Sequence, residues 1–310
     1  MATIKELSRR EDRLAGGHRL CAGCGASIAV RQILLAAGEE PLVAGCATGC
    51  LEVSTTLYPY TSWKVPFIHN AFENSAATIS GVEAAFKGLQ RAGKIPADKR
   101  VKFVAFGGDG GTYDIGLQSL SGAMERGHDM VYVCYDNGAY MNTGIQRSSA
   151  TPLGAWATTS EVGTAQQGKM QRRKDLTSII AAHGVPYAAQ ASVSHWRDLA
   201  MKAEKAFAVE GPAFLNVLSP CPRGWRTKSE DTVGIAKAAV STGFWPCFEV
   251  ENGEWRMTVK VRERKPIEEF LKPQGRFKHL FKPENAELLA RVQAEVDRYW
   301  GYIEKRCECG

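Results

Sequence analysis

The stretch VKFVAFGGDGG, residues 101–111, joins a short apolar run to a turn made almost entirely of glycine. The apolar part, residues 101–106, suits a buried strand, and Leu117, Leu120 and Met124 repeat at helical spacing after the turn. Glycines between a strand and a helix let backbone N–H groups approach phosphate oxygens, and the helix N-terminus favours negative charge. The stretch therefore predicts an α/β fold with a phosphate site at this turn.

Further apolar runs repeat the alternation of strands and helices. Residues 130–135 and 213–218 suit buried strands, and a helical pattern covers residues 79–89. From about residue 28 to residue 218, the alternation predicts a mostly parallel sheet flanked by helices. Residues 242–280 differ, because they combine scattered Pro and Gly with aromatic pairs and many charges. We expect this part to form an irregular arm rather than a separate domain.

A carboxylate inside the glycine turn indicates a cation. Asp109 would repel a bare phosphate, but it suits a Mg²⁺ ion that bridges phosphates, because Mg²⁺ prefers oxygen ligands. Asn137 follows the next predicted strand, and adjacent parallel strands deliver their last residues to the same edge of the sheet. The alternative is that GGDGG and the Asp136-Asn137-Gly138 sequence are only two tight turns. The pairing of Asp109 with Asn137 favours the cofactor site.

Composition places the chain among ordinary globular proteins. It has 310 residues, 44% of them hydrophobic and 23% charged, with a net charge of +6. No apolar run reaches the ~18 residues of a membrane span, and residues 1–13 lack the apolar core of a signal peptide, so we expect a cytoplasmic protein without a membrane partner. The densest basic stretch, residues 169–174, has no interleaved aromatic residues. We expect it to be a solvated loop and not a nucleic-acid site.

Four of the nine cysteines lie in short motifs. Cys21 and Cys24 form a CxxC pair, Cys50 follows a Thr-Gly dipeptide after a probable strand, and Cys221 stands between two prolines after another strand. Four thiolates bind either structural zinc or a [4Fe–4S] cluster. Zinc sites usually use two close pairs, so one pair with two distant single cysteines favours the cluster.

The other five cysteines have simpler interpretations. Cys134 lies inside a predicted strand and is expected in the core. Cys46 and Cys247 are core residues or spare thiols, and Cys46 is the main rival of Cys50 as a ligand because it is so close in sequence. Cys307 and Cys309 are expected at an exposed terminus.

Taken together, these motifs resemble one family. The chain is similar to the β subunits of the thiamine-diphosphate-dependent 2-oxoacid:ferredoxin oxidoreductases, pyruvate synthase type, and to the matching part of relatives that fuse all subunits. The similarity includes the motifs CxGC, TGC, GDGG and PCP, and it continues through the motif QGRFKHL at residues 274–280. It implies a pyrophosphate-type thiamine-diphosphate-binding domain with the iron–sulfur site over residues 1–230. Residues 231–310 would then be the arm and a helix, packed on that domain or on a partner.

The resemblance also implies a set of site residues. Asp109, Asn137 and the carbonyl of Ala139 would hold Mg²⁺, and Asn142 would contact substrate at the thiazolium unless it only stabilises its own loop. His69 is expected to have a structural role. The residues implied to ligate one [4Fe–4S] cluster are Cys21, Cys24, Cys50 and Cys221. The residues implied to bind thiamine diphosphate are Thr48, Gly49, Gly108, Asp109, Gly110, Gly111, Asn137 and Ala139.

In the family, a 2-oxoacid is decarboxylated on thiamine, electrons pass singly to the cluster, and coenzyme A takes the acyl group. The glutamate that activates thiamine comes from an α-type subunit, which also supplies the substrate pocket. Glu73 and Glu83 do not replace it, because they are expected on a helix as surface or cap residues. The chain alone is therefore expected to be inactive. The resemblance further implies a γ subunit, a ferredoxin-like δ subunit or domain, and an external ferredoxin.

Three alternatives remain at this point. The first is an oxalate-oxidising relative, which works without coenzyme A. Among the other substrates, the long C-terminal arm of this chain resembles the pyruvate type more than the 2-oxoglutarate type, whose arm is shorter. A thiamine-dependent decarboxylase with no redox role would leave the cysteine motifs unexplained. A non-catalytic, zinc-binding interaction protein would be colourless and free of thiamine.

Overall fold

Eight β-strands form one sheet in the computed structural model of the chain, which describes residues 2–308. The strands are β1 (Leu42–Ala47), β2 (Phe67–Asn70), β3 (Lys102–Gly108), β4 (Val131–Asp136), β5 (Tyr187–Ser192), β6 (Ala213–Leu218), β7 (Phe248–Glu251) and β8 (Glu254–Met257). The α-helices are α1 (Ile4–Leu7), α2 (Gly25–Ala36), α3 (Cys50–Thr55), α4 (Ser75–Arg91), α5 (Leu117–Glu125), α6 (Leu176–Ala181), α7 (Trp196–Ala208), α8 (Pro222–Trp225), α9 (Thr232–Ser241), α10 (Glu268–Leu271) and α11 (Ala286–Glu308).

The first six strands pair in parallel, in the order β2-β1-β3-β4-β6-β5. Strands β4 and β6 are buried along their whole length, which explains why they read as continuous apolar runs. Strand β3 runs two residues into the glycine turn, because Gly107 and Gly108 pair with Cys134 and Tyr135 of β4. The predicted mostly parallel sheet is confirmed.

Residues beyond 231 contribute to the same sheet. Strand β7 pairs antiparallel with β5, and β8 pairs antiparallel with β7, so the hairpin extends one edge of the sheet. Helix α11 packs on this hairpin through Ile303, which is fully buried beside Phe248 and Val250. The part predicted as irregular thus contains two regular strands. The glutamates in these strands interrupt the apolar pattern of the sequence. One of them, Glu249, is buried, and its Oε1 lies 2.9 Å from Lys205 Nζ. The division at residue 230 stays a prediction.

The basic stretch 169–174 is a loop in which Gln171 and Arg172 are exposed, but the expectation of a solvated loop is wrong for two of its cations. Lys169 is only 1% exposed, and its Nζ donates to the carbonyl oxygens of Ser149 and Thr151. The Arg173 guanidinium pairs with Asp136 and lies 4.3 Å from the centre of the Trp245 ring. Backbone carbonyls and a carboxylate compensate the burial of these two cations, which a count of charges does not reveal.

The two glutamates also differ from expectation. Glu83 is not a surface residue, because it is only 2% exposed. Its carboxylate pairs with Lys87, and its Oε2 lies 2.9 Å from Nδ1 of His128. Glu73 lies before α4 rather than on it. Within residues 2–308, no helix combines the length and apolar character that a bilayer crossing requires.

Candidate active site

The carboxyl ends of β1, β3 and β4 meet along one edge of the sheet, where the ligands of parallel sheets bind. A narrow cleft opens there, with a free volume of about 20 Å³. Its walls are Thr48, Gly49, Cys50, Phe72, Gly108, Gly110, Gly111, Tyr135, Asn137, Ala139, Tyr140, Met141, Asn142 and Thr143. Apart from Asp109, which lies buried beneath, every residue predicted to bind the thiamine cofactor or to contact the substrate lies in this wall.

Asp109 is a fully buried carboxylate beneath the cleft. Its Oδ1 accepts the backbone N–H groups of Asn137 at 3.1 Å and Gly138 at 3.2 Å, and its Oδ2 accepts the Ser148 hydroxyl at 2.6 Å. Burial, with Asp136 nearby, raises the pKa of Asp109 to about 8. A cation in this position would restore the charged carboxylate, because an opposite charge favours ionisation.

The Asn137 side-chain amide lies between two oxygen atoms of the candidate magnesium site. One end of its amide lies 2.9 Å from Asp109 Oδ1 and 2.9 Å from the carbonyl oxygen of Ala139. If nitrogen occupies this end, it donates to both oxygens; if oxygen does, three oxygens converge. Oxygens bound to one Mg²⁺ at about 2.0–2.1 Å in an octahedron are about 2.9 Å apart. The residues present therefore fit a magnesium ion.

The candidate magnesium ligands are of three kinds: the carboxylate of Asp109, the side-chain amide of Asn137 and the backbone carbonyl of Ala139. Among residues 2–308, no group of three His, Cys, Asp or Glu side chains is assembled as a metal site. Of the three oxygen donors above, only Asp109 belongs to those residue types. The backbone carbonyl of Ala139 has no side-chain signature, so only its position after Asn137 points to it.

The glycine run needs its glycines for space. A Cβ on Gly110 would lie 2.4 Å from the Tyr140 ring, and one on Gly111 would lie 2.8 Å from the carbonyl oxygen of Phe72. The chain then turns through the π-helical segment Gly111–Ile115 before α5. Such tight packing leaves backbone N–H groups as the donors at this edge, which is how glycine turns receive phosphate.

The loop with Cys21 and Cys24 docks on the loop with Cys221. The backbone N–H of Gly25 donates to the carbonyl of Pro220 at 3.0 Å, and a Cβ on Gly25 would meet the Ser219 backbone at 2.6 Å. Residues far apart in sequence are thereby held side by side, at the start of α2 and just before α8.

Cys50 begins α3 and lies within electrostatic reach of the other three thiols. Burial raises the pKa of Cys50 to about 12, and Cys221, Cys24 and Cys21 add to the shift. Burial likewise raises the pKa of Cys221 to about 11, with contributions from Cys24 and Cys21. Neutral thiols suit this apolar setting, and a bound metal would favour their thiolates.

The remaining cysteines lie elsewhere. Cys46 is fully buried within β1 and belongs to the main core, so it is a weaker rival for Cys50. Cys134 and Cys247 are also fully buried, as predicted for Cys134. Cys307 is half-buried under the β7–β8 hairpin rather than fully exposed, and Cys309 lies outside the described residues.

Known proteins share this sequence over almost its whole length. The family described as "Thiamine pyrophosphate enzyme, C-terminal TPP binding domain" matches residues 44–217. A Thermotoga maritima protein named pyruvate synthase subunit PorB is 56% identical over 300 residues, covering 96% of this chain and 92% of that protein. A Methanocaldococcus jannaschii protein of the same name is 52% identical over 299 residues, with 96% of each covered. The chain belongs to the β subunits of the 2-oxoacid:ferredoxin oxidoreductases.

Relatives within this oxidoreductase family differ in the substrate that they are named for. A Pyrococcus abyssi protein named ketoisovalerate oxidoreductase subunit VorB is 44% identical over 315 residues, with 99% of each covered. A solved structure of a 2-oxoglutarate:ferredoxin oxidoreductase from Magnetococcus marinus aligns with a TM-score of 0.55 and 20% identity, over 74% of this chain and 81% of that one. The latter likeness concerns the fold alone. The predicted family and thiamine-diphosphate-binding fold are confirmed.

In this oxidoreductase subunit, Asn142 lies between the cleft and the cysteines. It lines the cleft, and its side chain opposes the rise in the pKa of the Cys50 thiol, so the two side chains lie near each other. His69 is 58% exposed at its side chain, and its Nδ1 lies 2.6 Å from Oε1 of the buried Glu52. This contact agrees with the structural role expected for His69.

Three residues that join the parts of the site were not predicted. Trp225 donates its indole N–H to the carbonyl of Asn137 at 2.6 Å and its backbone N–H to the carbonyl of Cys221 at 2.8 Å. Ser148 supports Asp109, and Arg276 stacks on Trp225. The QGRFKHL motif at residues 274–280 contains Arg276, but nothing in that motif indicates its contact with Trp225.

Proposed function

We propose that this chain, assembled with its partner subunits, oxidatively decarboxylates pyruvate to CO₂ and an acyl-coenzyme A, and passes the electrons to ferredoxin. Support for pyruvate comes from the relatives named pyruvate synthase subunits, at 56% and 52% identity. The observation that carries the mechanism is the convergence of Asp109, Asn137 and Ala139 at 2.9 Å beside the docked cysteine loops.

In this proposal Asp109, Asn137 and the Ala139 carbonyl hold Mg²⁺. The backbone of residues 108–111 and of residues 48–49 receives the diphosphate of thiamine diphosphate at the edge of the sheet. Thiamine diphosphate, when bound, supplies the carbanion chemistry of decarboxylation. The chain holds and orients the cofactor, and Asn142 faces the substrate from the cleft wall.

Cys21, Cys24, Cys50 and Cys221 are proposed to hold one [4Fe–4S] cluster, which supplies one-electron transfer. The docking of the Cys24 loop on the Cys221 loop supports this set, while no three of the thiols of residues 2–308 stand together as a metal site before a cluster is bound. Since Asn142 lies near Cys50 and also lines the cleft, the cluster would lie next to the thiamine site. Cys46 would stay a core residue.

The chain is proposed to hold only half of the active site. Its cleft has about 20 Å³ of free volume, whereas ligand pockets usually have about 300 Å³ or more. No glutamate of residues 2–308 lines the cleft. An α-type partner subunit would therefore supply the activating glutamate and the substrate pocket. A γ subunit, a ferredoxin-like δ subunit or domain, and an external ferredoxin complete the proposal.

The proposal is tested by anaerobic purification of the chain with its co-purifying partners, followed by metal analysis and a visible spectrum. We expect brown protein that contains iron, sulfide, magnesium and thiamine, and that bleaches with pyruvate. Bleaching by ketoisovalerate alone or by oxalate alone would identify that acid as the substrate instead of pyruvate. A colourless protein loaded with zinc and free of thiamine would contradict the proposal.

A further inference from the structure

We propose that the hydroxyl of Tyr135 is a further cofactor-binding group, which donates a hydrogen bond to an oxygen of the bound diphosphate beside Gly49 and Gly108. The inference rests on the proposed function, because it needs thiamine diphosphate at this edge of the sheet. It adds one side-chain donor to a site in which the proposed donors to the diphosphate are otherwise backbone N–H groups.

Tyr135 lies in the wall of the cleft, near the end of β4. It pairs with Gly108 of β3 and is one of the residues that line the cleft. A Cβ on Gly108 would lie 3.3 Å from the Tyr135 hydroxyl oxygen, and a Cβ on Gly49 would lie 2.8 Å from the same oxygen. The hydroxyl is therefore in close contact with both backbone segments that are proposed to receive the diphosphate.

The Tyr135 hydroxyl is buried without a hydrogen-bond partner. The residue is 1% exposed, and no group of residues 2–308 meets its hydroxyl in hydrogen-bonding geometry. The other three buried tyrosines each have a partner for the hydroxyl; they are Tyr113, Tyr132 and Tyr187. A buried polar group without a partner costs free energy, so a bound group that enters the cleft is expected to supply the missing partner.

This hydroxyl is suited to donate a hydrogen bond. Burial raises the pKa of Tyr135 well above its ordinary value, so the phenol keeps its proton. The backbone N–H of Leu51 opposes this shift, but an N–H approaches only the oxygen, and the hydroxyl proton is left without an acceptor. The Thr48 hydroxyl in the same wall is already used, because it donates to the carbonyl of Asn70 at 2.8 Å. Tyr135 thus offers the free proton at this place.

A diphosphate oxygen is the acceptor that fits this proton best. Hydrogen bonds to a charged oxygen are shorter and stronger than those between neutral groups. The carboxylate of the 2-oxoacid is the other anion of the proposed site, but it would lie on the side of Asn142, which is proposed to face the substrate. Gly49 and Gly108 belong instead to the backbone that is proposed for the diphosphate. The contacts of the hydroxyl with these two glycines therefore favour the diphosphate.

The test compares Tyr135→Phe with wild type in the purified anaerobic complex after its thiamine has been removed. Phenylalanine keeps the ring beside Gly108 and removes only the hydroxyl. We expect the affinity for thiamine diphosphate with Mg²⁺, measured by calorimetry, to fall about tenfold or more, and the affinity for magnesium pyrophosphate to fall by a similar factor. The thermal unfolding midpoint of the cofactor-free complex should stay the same or rise, because the variant loses a buried hydroxyl that had no partner.

Tyr187→Phe is the matched control. Tyr187 is also a buried tyrosine, but its hydroxyl donates to Glu249 at 2.8 Å, and it does not line the cleft. Its loss should lower the unfolding midpoint and leave both affinities unchanged.

Two results would overturn the inference. Wild-type affinity for thiamine diphosphate in Tyr135→Phe, with or without a lower midpoint, would show that the hydroxyl does not bind the cofactor. Weaker binding of thiamine diphosphate with unchanged binding of pyrophosphate would place the hydroxyl at another part of the cofactor than its diphosphate. A wild-type complex that binds no thiamine diphosphate contradicts the proposed function itself.

Discussion

Lys169 is a buried amine whose protonation should make stability depend on pH. Burial lowers the pKa of Lys169 to about 7, although its Nζ donates to the carbonyl oxygens of Ser149 and Thr151. In the unfolded chain a lysine keeps its proton up to about pH 10.4. Between these values the unfolded state binds more protons than the folded state, so the free energy of unfolding should rise with pH.

Lys169→Met should remove that rise. We expect the difference in unfolding free energy between wild type and variant to change by up to ~1.4 kcal/mol per pH unit above pH ~7, in favour of the wild type. Chemical denaturation at a series of pH values measures it. Lys94→Met, at an exposed lysine, is the control and should follow the wild-type curve. Parallel curves for Lys169→Met and wild type would mean that Lys169 stays charged when folded.

Asp109→Asn tests the proposed magnesium ligand. Asparagine keeps the shape and an acceptor oxygen for the N–H groups of Asn137 and Gly138, but it lacks the charge. Because even residues behind metal ligands typically affect affinity by about 10–100-fold, we expect at least a tenfold loss in magnesium-dependent thiamine diphosphate binding. Calorimetry on the assembled protein measures the affinity. The control Asp98→Asn, at an exposed position, should bind thiamine diphosphate normally. Equal affinities in both variants would show that Asp109 is not a magnesium ligand.

These residues show what a sequence discloses about a site. Asp109 and Asn137 were predictable, because a carboxylate in a glycine turn and an amide after the next strand are unusual for structure alone. Ser148 and Arg276 were not predictable, since they reach Asp109 and Trp225 only through tertiary packing. Likewise the burial of Lys169 depends on two carbonyl oxygens that no local pattern reveals.

At the scale of elements, the start of α2 fixes the distance between two cysteine loops. Gly25→Ala would place a Cβ 2.6 Å from the Ser219 backbone, which forces the loops apart at a cost of about 1–3 kcal/mol. We expect most of the iron to be lost and thiamine diphosphate affinity to fall less, because the clash acts on the cysteine loops directly and reaches the magnesium segment only through the N–H of Ser219, which donates to the carbonyl of Asp136. Iron analysis and calorimetry give the two readouts.

The control for Gly25→Ala is Gly81→Ala, within α4. A Cβ on Gly81 meets nothing within 4 Å, and alanine favours a helix over glycine by about 1 kcal/mol. This variant should keep its iron and be as stable as wild type or more so. Full iron in Gly25→Ala would show that the docking of the two loops is not needed for the cluster.

The strands were predictable to different degrees for a physical reason. Those at the centre, β3, β4 and β6, are buried on both faces and therefore read as apolar runs. The edge hairpin β7–β8 carries Glu249, Glu251 and Glu254, whose side chains are held by lysines or face solvent. Alternating charges of this kind resemble a loop when the neighbouring strand is unknown.

At the scale of the whole molecule, the chain has one wall of the proposed site. The thiamine and cysteine parts lie on neighbouring loops, joined by Trp225, whose indole reaches Asn137 and whose backbone reaches Cys221. The cleft is narrow and no glutamate of the described residues lines it, which supports the proposal that a partner subunit supplies the activating group. As proposed, the chain is therefore one half of an active site.

The purified chain alone should consequently show no turnover of pyruvate. Thiamine diphosphate without a glutamate at its aminopyrimidine forms the reactive carbanion slowly, and general acid–base groups typically contribute about 10²–10⁴-fold in rate. The measurement is pyruvate-dependent reduction of ferredoxin by the chain alone and after its partner subunits are added. Iron and bound thiamine are determined in the same sample, so that a missing cofactor is not mistaken for a missing subunit. Turnover by the cofactor-loaded chain alone, at the rate of the complex, would mean that this chain carries the activating group itself.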